Sequence, residues 1–155
     1  MPFPDQAALQ ALQSHLLAMP PARALQPSVE GFVGGRLRLR APLAPNVNDK
    51  GTAFGGSLAS MMTLAAWGLT TLQVGQAGLD AEVYVADSQL RYLTPVREDL
   101  LVEAWLEDGQ DWAGFLSTLR SRGRARTTLQ AQVLLGDGAP AATATSRYVA
   151  ILRRG

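Results

Sequence analysis

The feature that most constrains this chain is an apolar stretch in its middle, from Leu58 to Val74. Its apolar side chains lie on all sides of a helix, so the helix must be enclosed by other structure and cannot lie on one flat face. Five small or hydroxyl-bearing residues interrupt it: Ser60, Thr63, Gly68, Thr70 and Thr71. The stretch is also shorter than the about 20 residues of a membrane span. We therefore predict a buried central helix beginning near Ser57, and no membrane span.

The rest of the chain is patterned mainly as strands. Apolar and polar residues alternate with a period of two, which is typical of strands. The strands predicted in this way cover residues 28–41, 81–93, 100–107, 124–135 and 141–152. A helix capped by Asp5 precedes them and is predicted to end at Pro20-Pro21, and a short helix from Trp112 is closed by Gly123.

These elements predict an α+β fold in which one long antiparallel sheet wraps around the central helix. A helix that is apolar on every side needs this much cover. The first helix lies N-terminal to the sheet, and the short helix comes before the last two strands. At 155 residues the chain fits a single domain, with residues 1–27 as an N-terminal helix and linker.

Composition excludes several classes of function. The net charge of +1 provides no broad positive field for binding nucleic acid. The absence of cysteine excludes disulfides, thiolate catalysis and cysteine-based metal sites, and His15 is the single histidine, so we predict no metal site. The first residues lack the pattern of a signal peptide, which favours a cytoplasmic protein.

The segment Asn48-Asp-Lys-Gly-Thr-Ala-Phe-Gly-Gly-Ser57 carries the most chemical information. Glycines permit close approach of a ligand to the backbone, and the first amides of a helix lack partners within the helix. Such a helix start can hold a phosphate or the oxyanion that forms when an ester or thioester carbonyl is attacked. The alternative is a tight turn without function, and spacing alone leaves both open. The segment is neither a P-loop nor a dinucleotide fingerprint.

Several short motifs together resemble a known family. The run Asn48-x-x-Gly-Thr-Ala-Phe-Gly-Gly56 is followed by a long helix, by Arg91-Tyr-Leu-Thr-Pro-Val96 and by Leu101-Val-Glu-Ala104. This order resembles the hot-dog-fold acyl-CoA thioesterases. Thr52-Ala-Phe-Gly-Gly-Ser57 ahead of Trp67-Gly68 is similar to the YiiD C-terminal domain branch, over about residues 28 to 152. The resemblance implies a homodimer, or a dimer of dimers, with acyl-thioester sites at the subunit interface.

The resemblance also implies roles for individual residues. In the broader phenylacetate-type thioesterases the motif is Asn-x-x-Gly-x-x-His-Gly-Gly, with an acid about nine residues after the histidine. Asn48 would then orient substrate or water, and the Gly56 amide would polarise the carbonyl. Here Phe54 stands in the histidine place and Thr63 in the acid place, and neither can act as a general base near neutral pH.

Another acid must therefore activate water if this chain hydrolyses thioesters. Asp87 is the first candidate, because Asp87-Ser88 interrupts an apolar strand; a strand bulge or a solvent-facing pair is the alternative. Asp49 is the second candidate, with a solvated loop acid as its alternative. Thr63 would assist through its hydroxyl, unless that hydroxyl bonds its own helix backbone.

The remaining candidate residues are assigned to substrate binding. Near the helix start and the strand they are Phe54, Gly55, Ser57, Ser60 and Ser88. Ser57 is also expected to cap the helix, since no nucleophile motif surrounds it. Arg124 and Arg126 share one strand face and suit the phosphates of coenzyme A or an acidic acyl carrier protein, with a solvated sheet face as the alternative.

The leading hypothesis is a cytoplasmic hot-dog dimer that hydrolyses an acyl-CoA or acyl-carrier-protein thioester with water. It requires no metal or redox cofactor, and coenzyme A enters only as part of the substrate. The alternative is a non-catalytic acyl-thioester-binding or dimerisation module.

Overall fold

The computed structural model describes residues 4 to 153, which form four helices and six strands. The helices are α1 (Gln6–Ala18), α2 (Pro20–Leu25), α3 (Gly55–Gln76) and α4 (Trp112–Arg122), with one 3-10 turn at Ala44–Asn46. The strands are β1 (Ser28–Val33), β2 (Arg36–Ala41), β3 (Ala81–Tyr92), β4 (Leu100–Leu106), β5 (Arg124–Leu134) and β6 (Pro140–Leu152). They form one antiparallel sheet in the order β1-β2-β4-β5-β6-β3.

Helix α3 lies at the centre of the molecule, as the sequence predicted. Its middle turns, at Met61, Ala65 and Leu69, are fully buried against the sheet. Leu12 and Leu16 of α1 cover it further. The predicted α+β architecture with a central helix is therefore confirmed, and α3 begins at Gly55, two residues before the predicted start. No helix among residues 4 to 153 is long and apolar enough to span a membrane.

The two predicted helix caps are correct. The Asp5 side chain accepts a hydrogen bond from the Ala8 amide at 2.8 Å. Gly123 closes α4 with a φ of +75°, a left-handed conformation that favours glycine.

The prediction of a single strand over residues 28–41 is wrong. This segment is a hairpin, because Gly34 and Gly35 both have positive φ, as a two-residue turn of this kind requires. The turn pairs Val33 with Arg36, and a bulge at Glu30 shifts the register back. The bulge and the turn each exchange the inward-facing and outward-facing positions of the strand. Because the second exchange cancels the first, the period-two pattern of the sequence looks unbroken on either side of residues 31–33. As a result Val33, expected on the apolar face, is 81% exposed.

The prediction that Pro20-Pro21 only terminates the first helix is incomplete. The helix does end at Ala18, but the two prolines then open α2. Proline is tolerated in the first turn of a helix, because the amide it lacks would have no partner there. The predicted linker therefore contains a helix, which ends at Leu25 and is followed by the C-cap residue Gln26 with a φ of +57°.

Glu103 is a nearly buried carboxylate on the outer face of the sheet. Arg36 donates a hydrogen bond to it at 3.3 Å, Gln132 donates another at 3.3 Å, and Arg38 donates a third. Burial alone raises the pKa of Glu103, but the hydrogen bonds from Arg38 and Gln132 and the charges of both arginines outweigh it. The pKa therefore lies below the ordinary value of a glutamate.

We expect Glu103→Gln to lower the free energy of unfolding at pH 7 by about 1–2 kcal/mol, because half-exposed arginines lose a charged acceptor. The folded-state pKa is below the unfolded one, so this stabilisation is present above pH of about 4.3 and is lost as pH falls through the folded value. Urea titrations of the wild type and of Glu103→Gln should show a smaller difference in the free energy of unfolding at pH 3 than at pH 7. Glu30→Gln is the matched control, since Glu30 pairs with Arg38 and Arg40 but is more exposed; an equal loss there would contradict the argument.

Candidate active site

The start of α3 presents two backbone amides without an acceptor. Phe54 is the N-cap residue, and no side chain caps the helix. The first backbone bonds run from the Ser57 amide to the Phe54 carbonyl at 2.9 Å and from the Leu58 amide to the same oxygen at 3.1 Å. Among residues 4 to 153 we find no acceptor for the amides of Gly55 and Gly56. Unpaired amides at a helix start are suited to holding a negatively charged oxygen.

Asn48 holds the loop that leads to this helix start. Its side-chain amide donates to the Thr52 hydroxyl at 2.8 Å, and its side-chain oxygen accepts from the amides of Lys50 at 2.8 Å and Thr52 at 3.1 Å. Gly51 supports the tight loop with a φ of +79°. The side chain predicted to orient substrate is thus engaged with its own loop, and it positions the backbone leading to Phe54.

Two exposed aromatic rings flank the helix start. The Phe54 ring is 56% exposed and occupies the space that a Cβ on Gly56 would take. The Tyr92 hydroxyl, at the end of β3, donates to the Gly55 carbonyl at 3.2 Å. Sequence reasoning assigned Tyr92 no role, and its place at the end of a strand gave no signal of this contact. Glycine at position 56 therefore leaves room for an aromatic ring beside the free amide.

A row of hydroxyl groups crosses from α3 to the edge of the sheet. The Thr63 hydroxyl donates to the Ala59 carbonyl at 2.9 Å, which is the backbone-bonded alternative considered above. The buried Tyr148 hydroxyl donates to the Thr63 carbonyl at 3.2 Å, and burial raises the pKa of Tyr148, so this phenol stays neutral. Farther along, the hydroxyls of Ser88 and Ser146 lie 2.8 Å apart.

The two serines at the start of α3 have different environments. Ser57 is the third residue of the helix and is buried. The expectation that it caps the helix is wrong, because the helix begins two residues earlier and Phe54 occupies the cap position. Ser60, one turn further on, is exposed.

Asp87 does not lie beside the glycine loop within the chain. It follows a bulge in β3 and accepts hydrogen bonds from Arg147, with the Nε atom 3.0 Å from each carboxylate oxygen. Ser146 and Tyr148 are buried on the side of α3, so Arg147 between them faces the outer side of the sheet, and Asp87 lies with it. The Arg147 hydrogen bonds hold the pKa of Asp87 below its usual range. The prediction that Asp87 is a buried carboxylate is therefore wrong. The alternative holds, because Asp87 follows a strand bulge and faces solvent in a pair with Arg147.

The other charged candidates are exposed. The Asp49 side chain is 82% exposed and pairs with Lys50 at 2.9 Å. Arg124 and Arg126 lie on the outer face of β5, and the charge of Arg126 also acts on Asp87. His15 contacts the Trp67 ring edge to face at 5.0 Å, which fits the structural role expected for it. No group of three or more metal-ligating side chains occurs in the described part of the chain.

The sheet wrapped around a helix, with a glycine-rich helix start, defines a hot-dog protein of the thioesterase type. The family model described as "Putative thioesterase (yiiD_Cterm)" matches residues 9–152. The chain belongs to this family, which confirms the resemblance drawn from the motifs.

Solved structures agree with this assignment. A structure described as a putative thioesterase from Shewanella oneidensis is 31% identical, with a TM-score of 0.85, and the match covers 95% of this chain and 99% of that one. A Chlorobaculum tepidum TLS protein of unknown function is 26% identical, with a TM-score of 0.87 and 97% of each chain covered. A Pseudomonas aeruginosa protein at 24% identity has a TM-score of 0.78 over 99% of both chains and supports the fold alone.

Proposed function

We propose that this protein hydrolyses an acyl thioester with water as the nucleophile. The observation that carries the proposal is the pair of unbonded amides, Gly55 and Gly56, at the start of a helix buried in a thioesterase-type fold. Water adds to the carbonyl carbon, and the oxygen that becomes negative accepts hydrogen bonds from these amides. The carbon–sulfur bond then breaks, the proton taken from water passes to the leaving sulfur, and a carboxylic acid and a thiol are released. Amides aimed at a developing oxyanion favour the transition state over the ground state.

A carboxylate is needed to take the proton from water, and we assign this role to Asp49. It lies in the loop that Asn48 holds and that leads directly into α3. Asp87 lies on the outer face of the sheet, so the geometry of one chain favours Asp49 over it. Thr63 contributes through its position on α3, where its hydroxyl oxygen keeps its capacity to accept a second hydrogen bond.

A second copy of the chain completes the site in this proposal. Strand β3 is twelve residues long and stands at an edge of the sheet, so one side of its backbone has no strand partner among residues 4 to 153. Exposed large hydrophobic side chains accompany it: Tyr84, Val85, Tyr92 and Leu93. A long edge strand with exposed hydrophobic side chains favours pairing with another strand. This supports a homodimer, or a dimer of dimers, with the site near the subunit interface.

The thiol carrier in the proposal is coenzyme A, with acyl carrier protein as the alternative. Arg124 and Arg126 are exposed on one face of β5, and arginine matches the geometry of phosphate groups. A metal or redox cofactor is not part of the proposed reaction. A cytoplasmic location belongs to the same proposal, and the lack of cysteine agrees with it.

The test is steady-state thiol release from short, medium, long and aromatic acyl-CoAs. We expect turnover of at least one class by the wild-type protein. If no substrate of the panel releases thiol although at least one of them binds, the proposal of hydrolysis is contradicted.

Two observations favour a second function, the binding of acyl thioesters without hydrolysis. Phe54 stands where a histidine would act, and the Thr63 hydroxyl proton is already used by the helix backbone. Stoichiometric binding without turnover would support this function. Neither binding nor turnover would indicate a dimerisation module.

Asp87→Asn is expected to leave kcat within about twofold of wild type, because the carboxylate faces away from α3. Asp49→Asn is its matched partner and is expected to lower kcat by about 10²-fold, the usual contribution of a general base. Both are measured by thiol release on the best substrate of the panel. The opposite order, with activity lost only in Asp87→Asn, would make Asp87 the base and overturn the assignment to Asp49.

A further inference from the structure

A cavity of about 330 Å³ lies between α2 and the first turns of α3. Met19, Ala22 and Leu25 form its roof, on and beside α2. Its floor on α3 includes Ser60, Thr63 and Leu64. A volume of this size is within the range of small-ligand pockets.

The cavity is apolar in character. The roof residues Met19, Ala22 and Leu25 have no polar side-chain atoms that form hydrogen bonds. On the floor, the Thr63 hydroxyl already donates its hydrogen bond to the Ala59 carbonyl, and Ser60 adds one further hydroxyl. An aliphatic group therefore suits this space better than a charged or strongly polar one.

The roof is held in place by buried contacts. The side-chain amide of Asn46, itself 98% buried, donates to the carbonyls of Leu25 and Pro42, both at 2.9 Å. Ala22 of the roof is also buried. Since Asn46 precedes the glycine loop, the same residue connects α2 to the segment that forms the helix start.

The floor of the cavity lies on the face of α3 that also carries Gly56. Ser60, Thr63 and Leu64 follow Gly56 by four, seven and eight residues, and this spacing puts them on the same helix face. Eight residues of helix span about 12 Å. A thioester whose carbonyl oxygen lies at the Gly56 amide can thus extend its acyl group toward the cavity.

We propose that this cavity receives the aliphatic acyl tail of the substrate and that α2 sets its maximum length. The inference rests on the proposed function for the position of the carbonyl. A span of about 12 Å accommodates about eight to ten carbons, so the substrate class is a medium-chain acyl thioester. Ala22, the smallest roof residue, is then the position that determines specificity.

The test narrows the cavity with Ala22→Leu and uses Ala24→Leu as the matched control, because Ala24 lies on the same helix but is exposed. Each methylene that no longer fits lowers kcat/KM about fourfold. We expect Ala22→Leu to lower kcat/KM for decanoyl-CoA more than tenfold and to leave butyryl-CoA within twofold. Ala24→Leu should leave both unchanged. Equal chain-length profiles for all three proteins would overturn the proposal while leaving hydrolysis intact.

A binding measurement separates this proposal from the proposed reaction. S-decyl-CoA and S-butyl-CoA are thioethers that cannot be hydrolysed, and titration calorimetry gives their affinities. The wild-type protein should bind the decyl compound more tightly, and Ala22→Leu should remove that preference even if no thioester is turned over. An equal affinity of the wild type for both thioethers would overturn the cavity assignment.

A variant that acts in the opposite direction covers the case in which Ala22→Leu does not fold. Leu25→Ala enlarges the cavity by shortening a roof side chain. It keeps the Leu25 backbone carbonyl that accepts a hydrogen bond from Asn46. It should shift the preferred chain length upward, in turnover or in thioether binding. No shift with Leu25→Ala would contradict the role of α2.

Discussion

Replacing Gly56 with proline is expected to lower kcat/KM for thioester hydrolysis by about 10²- to 10³-fold, the usual effect of removing one oxyanion donor. The Gly56 amide is the second of α3 and has no acceptor among the described residues. Proline lacks this N–H, and it is tolerated in the first turn of a helix, so the substitution removes the donor and keeps the helix. The measurement is thiol release on the best acyl-CoA.

Gly56→Ala is the matched control. Alanine keeps the amide and adds the same Cβ as proline, which would meet the Phe54 ring. Because that ring is exposed, it can turn away at small cost. We expect Gly56→Ala to retain most of the activity and both variants to show the circular dichroism of the wild type. An equal loss of activity in the two would indicate that space at this position matters and that the amide does not.

Leu69→Ala is expected to lower the free energy of unfolding by about 3–4 kcal/mol, because it removes buried methyl groups and leaves a cavity. Leu69 is 0% exposed and lies in the middle of α3. The sheet encloses this helix, so the surroundings have little freedom to close the gap. Urea titration followed by circular dichroism measures the loss.

Leu17→Ala is the control for this effect. Leu17 lies on α1 and is 38% exposed, so its truncation should cost under about 1 kcal/mol. A loss at Leu69 no greater than the loss at Leu17 would contradict the central position of α3.

The loop from Asn48 to Ser57 illustrates how much of the site was predictable. Its glycines and its position before the apolar helix correctly indicated a helix start with free amides. The contact of Tyr92 with Gly55 joins residues 37 positions apart, and no local pattern marks it. The sequence marked Asp87 only as a polar interruption of a strand. The face of the sheet on which Asp87 lies depends on the bulge between Val85 and Asp87.

The sequence by itself determined the local elements of this protein. Apolar spacing in residues 58–74 specified an enclosed helix, and Asp5 and Gly123 specified where helices begin and end. Such patterns follow from backbone periods and caps, which involve neighbours in the chain. Only the tertiary structure decided the face occupied by Asp87, the ring beside Gly56 and the cavity under α2. These depend on strand register, bulges and packing between distant segments, and a one-residue shift in register exchanges the two faces of a strand without changing its pattern.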